Sequence, residues 1–163
     1  MRQPFLCLIL YERLAPKPLR FLHANSRQNH RPTQPRAPPE GGYYRQTWQA
    51  DNEGRAAGTC IYFLLKEGEA SHWHWVDTAE IWHYYAGATL TLSIAETAQG
   101  PAIDHCLGPD VLANQTPQIL VAPNHWQAAR TDGAFTLVGC TVSPGFEFAK
   151  FTLAPPDFDI PRG

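Results

Sequence analysis

The stretch GEASHWHWVDTAEIWHYYAG, residues 68–87, constrains the fold more than any other part of the chain. Side chains alternate between the two faces of an extended strand, so His72 and His74 are predicted to share one face while Trp73 takes the other. Glu80 follows after a short connection and begins a second strand with an inward carboxylate. The stretch therefore predicts two neighbouring strands that direct two imidazoles and one carboxylate into a common interior.

These three side chains are typical ligands of borderline divalent metals. Zn, Fe, Mn and Ni all accept imidazole and carboxylate ligands, and a three-ligand site leaves an open position for a substrate. The residues therefore predict a divalent transition metal held by His72, His74 and Glu80. Without a metal, His74 and Glu80 form the predicted catalytic acid/base pair. An aromatic hairpin whose histidines only hydrogen-bond to the backbone is the alternative.

Length and charge limit the classes of partner. A chain of 163 residues favours one domain with a substantial core. Residues 1–39 contain seven Lys or Arg and one acid, a sum of +6, whereas the remainder contains six bases and fourteen acids, a sum of −8. An acidic body argues against a nucleic-acid partner. The apolar run at residues 5–11 is too short to span a bilayer, so no membrane partner is expected.

Composition divides the chain into three segments. Residues 1–37 are basic and rich in proline, which predicts a poorly ordered extension. A basic tail that binds RNA or membrane, and a mis-assigned translation start, are alternatives for this segment. Residues 38–155 are the predicted folded domain and residues 156–163 a tail. The four cysteines lack CxxC spacing, which favours reduced thiols in a cytoplasmic protein.

Short strand-like runs alternate with turn residues from Pro39 onward, and no helical period is convincing. One run is a predicted hairpin about Ala86-Gly87, and another is a strand broken or bulged at Pro123. The run at residues 57–68 predicts a strand buried on both faces. This pattern predicts an all-β barrel or jelly roll. The predicted strands lie within residues 40–51, 57–68, 71–76, 80–96, 101–108, 117–130, 134–148 and 148–154.

Four segments make the prediction more specific, namely PEGGYYRQTW, IYFLLKEGEASHWHWVDTAEIWHYYAG, WQAAR and LVGCTVSPGFEF. Together with the spacing G-x3-H-x-H-x5-E-x6-G, they resemble a branch of single-domain cupins whose biochemical activity is largely uncharacterised. The resemblance covers residues 38–153 and implies a cupin jelly-roll β-barrel similar to that of the deoxysugar epimerases. It also implies a homodimer. It does not specify a substrate.

The sequence departs from the cupin pattern at two places. A proline-rich stretch stands where a short helix usually precedes the PEGG element, which makes the amino-terminal extension mostly irregular. Gln127 stands where the second cupin motif has a histidine, and an amide is a weaker ligand for a transition metal than imidazole. The resemblance therefore adds Gln127 to the predicted metal ligands. His125 shares the predicted strand face of Gln127 and is a substitute ligand or a substrate contact.

Aromatic residues are predicted to line the pocket from the neighbouring strands. Trp82 and Tyr84 share the parity of Glu80 and are predicted to face inward. Either Tyr62 or Phe63 lines the barrel from the preceding strand. Substrate binding is the predicted role of Tyr62, Trp82 and Tyr84, and core packing is the alternative for all of these rings.

Two arginines are the predicted contacts for an anionic substrate group. Arg45 and Arg130 lie in the two segments that flank the His strand in the family pattern, and each guanidinium can bind a carboxylate or phosphate as a fork. The alternative is that each arginine pairs with an acid such as Glu40 or Glu147.

Two classes of function follow from these residues. The first is an enzyme that acts on a small polar metabolite inside the barrel, as an isomerase, lyase or metal-dependent oxygenase. The second is a non-catalytic cupin that senses or sequesters a small molecule. Epimerase-like chemistry with His/Glu acid-base groups and no metal is a named alternative, because fold analogy alone does not establish it.

Overall fold

The computed structural model describes residues 35–163, so the predictions for residues 1–34 lie outside the described residues. Arg36 pairs with Tyr44 in an isolated bridge, so β pairing begins before Pro39, where the sequence predicted order to begin. No helix among the described residues has the length and apolar character of a membrane span. The strands are β1 (Tyr43–Gln49), β2 (Thr59–Lys66), β3 (Ala70–Val76), β4 (Ala79–Gly87), β5 (Leu90–Ala95), β6 (Ile103–Leu107), β7 (Gln118–Val121), β8 (Trp126–Thr131), β9 (Phe135–Ser143) and β10 (Phe151–Leu153).

These strands form two five-stranded antiparallel sheets, and the predicted all-β jelly-roll class is confirmed. Sheet I has the order β1-β2-β9-β4-β7, and sheet II has the order β10-β3-β8-β5-β6. The only other regular elements among the described residues are two 3₁₀ turns, Val111–Ala113 and Phe148–Lys150. The chain passes from sheet I to sheet II between β4 and β5, and again between β7 and β8.

This crossing between sheets corrects two sequence predictions. The predicted hairpin about Ala86-Gly87 is wrong, because β4 pairs with β7 and β9 whereas β5 pairs with β6 and β8. Gly87 has a φ of 96°, and a side chain there would collide with the carbonyl oxygen of Phe135, so glycine is needed where the chain leaves sheet I. The strand predicted to be broken or bulged at Pro123 is interrupted there, but its two parts, β7 and β8, lie in different sheets and do not continue one another.

Alternation along each strand places one face of both sheets in a shared core. The rings of Phe63 and Trp82 meet edge to face at 5.7 Å within it. On β2, Tyr62 and Leu64 take the outer face and are only partly buried, so the predicted burial of this strand on both faces is wrong. The buried core residues are Phe63, Leu65, Trp82, Ile119, Val121, Val138 and Cys140 from sheet I, and Leu90, Leu92, Leu107 and Ala129 from sheet II.

The segment after β10 covers the outer face of sheet II. Ile160 is fully buried there in a second apolar cluster with Trp73. The indole Nε1 of Trp73 donates a hydrogen bond of 2.8 Å to Asp159, and the ring of Phe158 lies 4.9 Å from that of Trp126. The predicted tail is therefore a packed part of the domain, and it occupies the face of β3 opposite to the interior.

Candidate functional site

A β-bulge in the His strand decides which of its side chains enter the interior. Ser71 pairs with Ala129 and His74 pairs with Gln127, so three steps along β3 match two along β8. Directly opposed residues face the same side of a sheet, which places Ser71 and His74 in the interior with their partners. The extra residue breaks the alternation on which the predicted shared face of His72 and His74 depended. That part of the prediction is wrong.

His72 makes structural hydrogen bonds at the edge of β3. Its ring Nε2 donates to the carbonyl oxygen of Pro155 over 2.8 Å, since a carbonyl can only accept. Its backbone N–H donates to the carbonyl oxygen of Glu40 over 2.7 Å. His72 is half-buried, and its hydrogen bonds tie the segments before β1 and after β10 to this strand.

His74 is a buried, neutral hydrogen-bond acceptor. Its ring Nδ1 lies 2.7 Å from the carbonyl oxygen of His72, so Nδ1 carries the proton and Nε2 has the free lone pair. Burial lowers the pKa of His74 from 6.5 to about 4, which keeps the imidazole uncharged at neutral pH. The ring lies 5.3 Å from that of Phe151.

Gln127 connects Glu80 to Trp82 in the interior. The Gln127 side chain is fully buried. Its Nε2 donates to Glu80 Oε2 over 2.6 Å, and its Oε1 accepts from the indole Nε1 of Trp82 over 2.8 Å. Burial raises the pKa of Glu80, and the hydrogen bond from Gln127 opposes part of that rise. Both ends of the amide are therefore engaged, and Gln127 positions the carboxyl of Glu80.

Glu40 is a second interior carboxyl, for which the sequence predicted only a role as the ion-pair partner of an arginine. Burial, aided by the charge of Glu80, raises the pKa of Glu40 from 4.5 to about 7. Gly41 has a φ of 106°, and a side chain there would collide with the carbonyl oxygen of Ala70. The glycine lets this segment lie directly against β3. An acid immediately before a glycine pair was the signal in the sequence.

Two buried side-chain oxygens have no hydrogen-bond partner among residues 35–163, namely Ser71 Oγ and Glu40 Oε2. Ser71 is only 1% exposed. Nearly all buried polar atoms of native proteins are paired, and an unpaired one costs about 1–3 kcal/mol. These two oxygens are thus buried polar atoms with unused hydrogen-bonding capacity, and His74 Nε2 offers a further lone pair.

The predicted metal ligands do not converge in this structure. No three His, Cys, Asp or Glu side chains within residues 35–163 are grouped closely enough to hold a metal ion. His72 uses a ring nitrogen on Pro155, and Gln127 uses its amide on Glu80 and Trp82. The described residues therefore do not fit the predicted two-His, one-Glu site or its Gln127 extension.

The acid/base pair of His74 and Glu80 is not joined by a hydrogen bond in the described part of the chain. The nearest link between them is Gln127, which is the cross-strand partner of His74 and the donor to Glu80. A catalytic role of the pair stays a prediction.

The predicted aromatic residues divide between the two faces of sheet I. Trp82 is 2% exposed and lies in the core, and Tyr84 packs against the same core. Phe63, not Tyr62, takes the inward position on β2, so Tyr62 lies on the outer face. The placement of Tyr62 in the interior pocket is wrong because the parity of β2 is set by Phe63.

The two arginines among the predicted polar contacts lie outside the interior. Arg45 lies over the outward ring of Tyr62 at 5.4 Å. Arg130 follows the inward Ala129 on β8, and its side chain is 52% exposed and 3.9 Å from Asp104. His125 lies in the turn before β8 and is half-buried. The predicted arginine fork for an anion is therefore absent from the described interior.

The family model for the Cupin superfamily (DUF985) matches residues 35–154. The chain belongs to the cupin superfamily. A search of curated proteins finds no match. The uncharacterised branch that the sequence motifs predicted is confirmed by this match.

Solved structures similar to this cupin extend the comparison. Protein SO0799 from Shewanella oneidensis is 35% identical over 74% of this chain and 78% of its own, with a TM-score of 0.69. A hypothetical protein from Leishmania major is 28% identical over 74% of this chain and 81% of its own, with a TM-score of 0.65. Oxalate decarboxylase from Bacillus subtilis, at 14% identity over 72% of this chain and 29% of its own and a TM-score of 0.56, shares the fold alone.

Proposed function

We propose that this cupin binds a small polar molecule in the barrel interior, in contact with Glu40, Ser71, His74 and Glu80. The observation that carries the proposal is the pair of buried oxygens, Ser71 Oγ and Glu40 Oε2, without partners among residues 35–163. A buried hydroxyl or carboxyl normally has a hydrogen-bond partner. A bound polar molecule supplies those partners.

The surroundings of these groups favour binding of a specific small molecule over hydration by water alone. Trp82 and Phe63 are buried beside the carboxyl of Glu80 and its partner Gln127. In such apolar surroundings a hydrogen bond to a ligand is stronger than in water. Gln127 holds Glu80 in one position, so the carboxyl is already oriented before a ligand binds. The proposed binding needs no metal.

The direct test is native mass spectrometry of the full-length protein after incubation with fractionated small-molecule extract. We expect the spectrum of the wild type to show a bound low-mass ligand, and the spectrum of His74→Phe to show none. Phenylalanine keeps a ring of similar size and removes the Nε2 acceptor. His83→Phe is the matched control, because His83 hydrogen-bonds to Thr141 through its Nε2 and is not in the interior core. An adduct retained equally on His74→Phe, or no adduct on any form, would refute the proposal.

A second candidate is a metal-free acid/base isomerase or lyase. It is favoured by the coexistence of a proton acceptor, His74 Nε2, with a carboxyl whose pKa of about 7 lets it hold or release a proton, Glu40. In this candidate His74 accepts a proton from the bound metabolite and Glu40 returns one. The bound compound, recovered after equilibration in D₂O, then carries deuterium at a carbon position. Recovery without carbon-bound deuterium leaves binding alone as the function.

A further inference from the structure

We infer that the interior selects a ligand that donates hydrogen bonds, a hydroxyl- or amine-bearing compound, and rejects carboxylates. The inference rests on the proposed function and names the ligand class of that same site. It follows from which atoms of the interior are still available for a ligand, and from where the positive charges of the domain lie.

The available interior atoms are mostly acceptors. His74 Nε2 has a free lone pair because Nδ1 holds the proton. Glu40 Oε2 has no donor among residues 35–163. Glu80 receives hydrogen bonds from Gln127 and from the thiol of Cys140, and the two oxygens of a carboxylate can accept further ones.

The interior donors, in contrast, are already used. The indole N–H of Trp82 is bound to Gln127, and the ring N–H of His74 is bound to the carbonyl of His72. Ser71 Oγ can donate or accept. An anionic ligand would therefore find as donors only the Ser71 hydroxyl and the proton held by the two carboxyls, and it would face the lone pair of His74 Nε2 and the remaining carboxylate.

The charges of the domain point to the same ligand class. None of the Lys and Arg residues within residues 35–163 is buried. Arg55 is paired with Asp77 by two hydrogen bonds of 2.7 Å, and Arg162 is bound to Asp159. The interior instead holds two carboxyls that interact electrostatically, Glu40 and Glu80. A ligand carboxylate beside them meets like charge in apolar surroundings, whereas an ammonium or hydroxyl group is attracted.

Glu40 is accordingly a binding residue of this site. Its carboxyl is held in place by the Gly41 turn and by the hydrogen bond of its carbonyl with His72. A neutral hydroxyl ligand leaves a proton on the pair of carboxyls, and an ammonium ligand displaces it. The two sources of donor chemistry thus differ in proton release on binding.

The test uses the full-length protein with ¹⁵N-labelled histidine and three two-carbon probes, ethylene glycol, ethylenediamine and oxalate. We expect a saturable shift of the His74 Nε2 resonance with ethylene glycol or ethylenediamine and none with oxalate. Proton release, measured by titration in weak buffer, accompanies the diamine but not the glycol. The His83 resonance is the internal control, since its ring Nε2 is bound to Thr141.

The role of Glu40 is tested by Glu40→Gln, with the exposed Glu67→Gln as the matched control. Loss of a charge-assisted acceptor is expected to weaken the bound donor probe at least about tenfold, whereas the control leaves its affinity unchanged. Unchanged affinity in Glu40→Gln overturns the assignment of Glu40.

Two outcomes overturn the ligand class. A saturable His74 shift with oxalate but not with the donor probes shows an anion site, and in that case the adduct on the wild type is still found. No shift with any probe also overturns it. Only the further absence of any adduct from cell extract shows that the proposed binding function itself has failed.

Discussion

The replacement of Gln127 by leucine tests the interior polar chain most sharply. Gln127→Leu keeps a side chain of similar size and removes two buried hydrogen bonds, leaving Trp82 Nε1 and Glu80 Oε2 unpaired. Each unpaired group costs about 1–3 kcal/mol, and burial of the leucine recovers about 1–2 kcal/mol. At the middle of each range the two unpaired groups cost about 4 kcal/mol and the leucine recovers about 1.5 kcal/mol, so we expect a net loss of about 2–3 kcal/mol in the free energy of unfolding, a large share of the stability of a typical domain.

The assay is urea denaturation followed by tryptophan fluorescence and circular dichroism at fixed pH. Gln118→Leu is the matched control. Gln118 is exposed on β7, so this substitution makes the same change of side chain without loss of a buried hydrogen bond. In the wild type the hydrogen bond from Gln127 opposes the rise that burial causes in the pKa of Glu80. Gln127→Leu removes this hydrogen bond, so the pKa of Glu80 rises further. If Gln127→Leu stays within about 0.5 kcal/mol of the wild type, the hydrogen-bonded chain is not a structural element of this cupin.

Four further predictions concern Ser71, Ser93, Glu40 and the metal content of the protein. Ser71→Ala removes a buried hydroxyl without a partner among residues 35–163 and is expected to stabilise the ligand-free protein by about 1 kcal/mol. The hydroxyl of Ser93 donates to Asp104 over 2.5 Å, so Ser93→Ala is expected to cost about 1–2 kcal/mol in the same urea denaturation assay. Because the pKa of Glu40 rises from 4.5 to about 7 on folding, the native state holds this proton more tightly, and stability falls as pH rises through that window. Glu40→Gln removes this loss, so its stability relative to the wild type should increase by on the order of 3 kcal/mol between about pH 5 and pH 8. Elemental analysis of untagged protein should find substoichiometric transition metal, because the described ligands do not converge.

The predictions on Ser71, Glu40 and the metal content each have a contradicting result. A Ser71→Ala protein less stable than the wild type by about 1 kcal/mol would show that Ser71 Oγ is hydrogen-bonded in solution. A stability difference between Glu40→Gln and the wild type that does not change with pH would place Glu40 in water. One metal ion per chain that is lost on His74→Ala would restore the predicted metal site. The predicted homodimer and cytoplasmic location stay predictions.

Local periodicity predicted part of the interior. Trp82 and Glu80 alternate with outward residues on β4, and both are buried as the parity predicts. Periodicity failed on β3 because a bulge adds one residue between Ser71 and His74, and a bulge depends on the partner strand β8. The pattern of strand residues therefore predicted the correct class of fold, but its prediction that His72 and His74 share one strand face was wrong.

Other features depend on contacts that are distant in sequence. The chain leaves sheet I at Gly87, and the pairing of β4 with β9 joins residues 49 to 64 positions apart, which local turn residues do not specify. Glu40 enters the interior because the Gly41 backbone lies against Ala70, on another strand. The acid and the two glycines are visible in the sequence motif, but their position against Ala70 depends on how the chain folds.

A high-resolution crystal structure of the full-length protein as purified from cells tests the central claim most directly. The account predicts non-protein density in the barrel, within hydrogen-bond distance of Ser71 Oγ and Glu40 Oε2 and on the Nε2 side of His74. Ser71 Oγ and Glu40 Oε2 hydrogen-bonded to other groups of the chain, with no density between them, would contradict it.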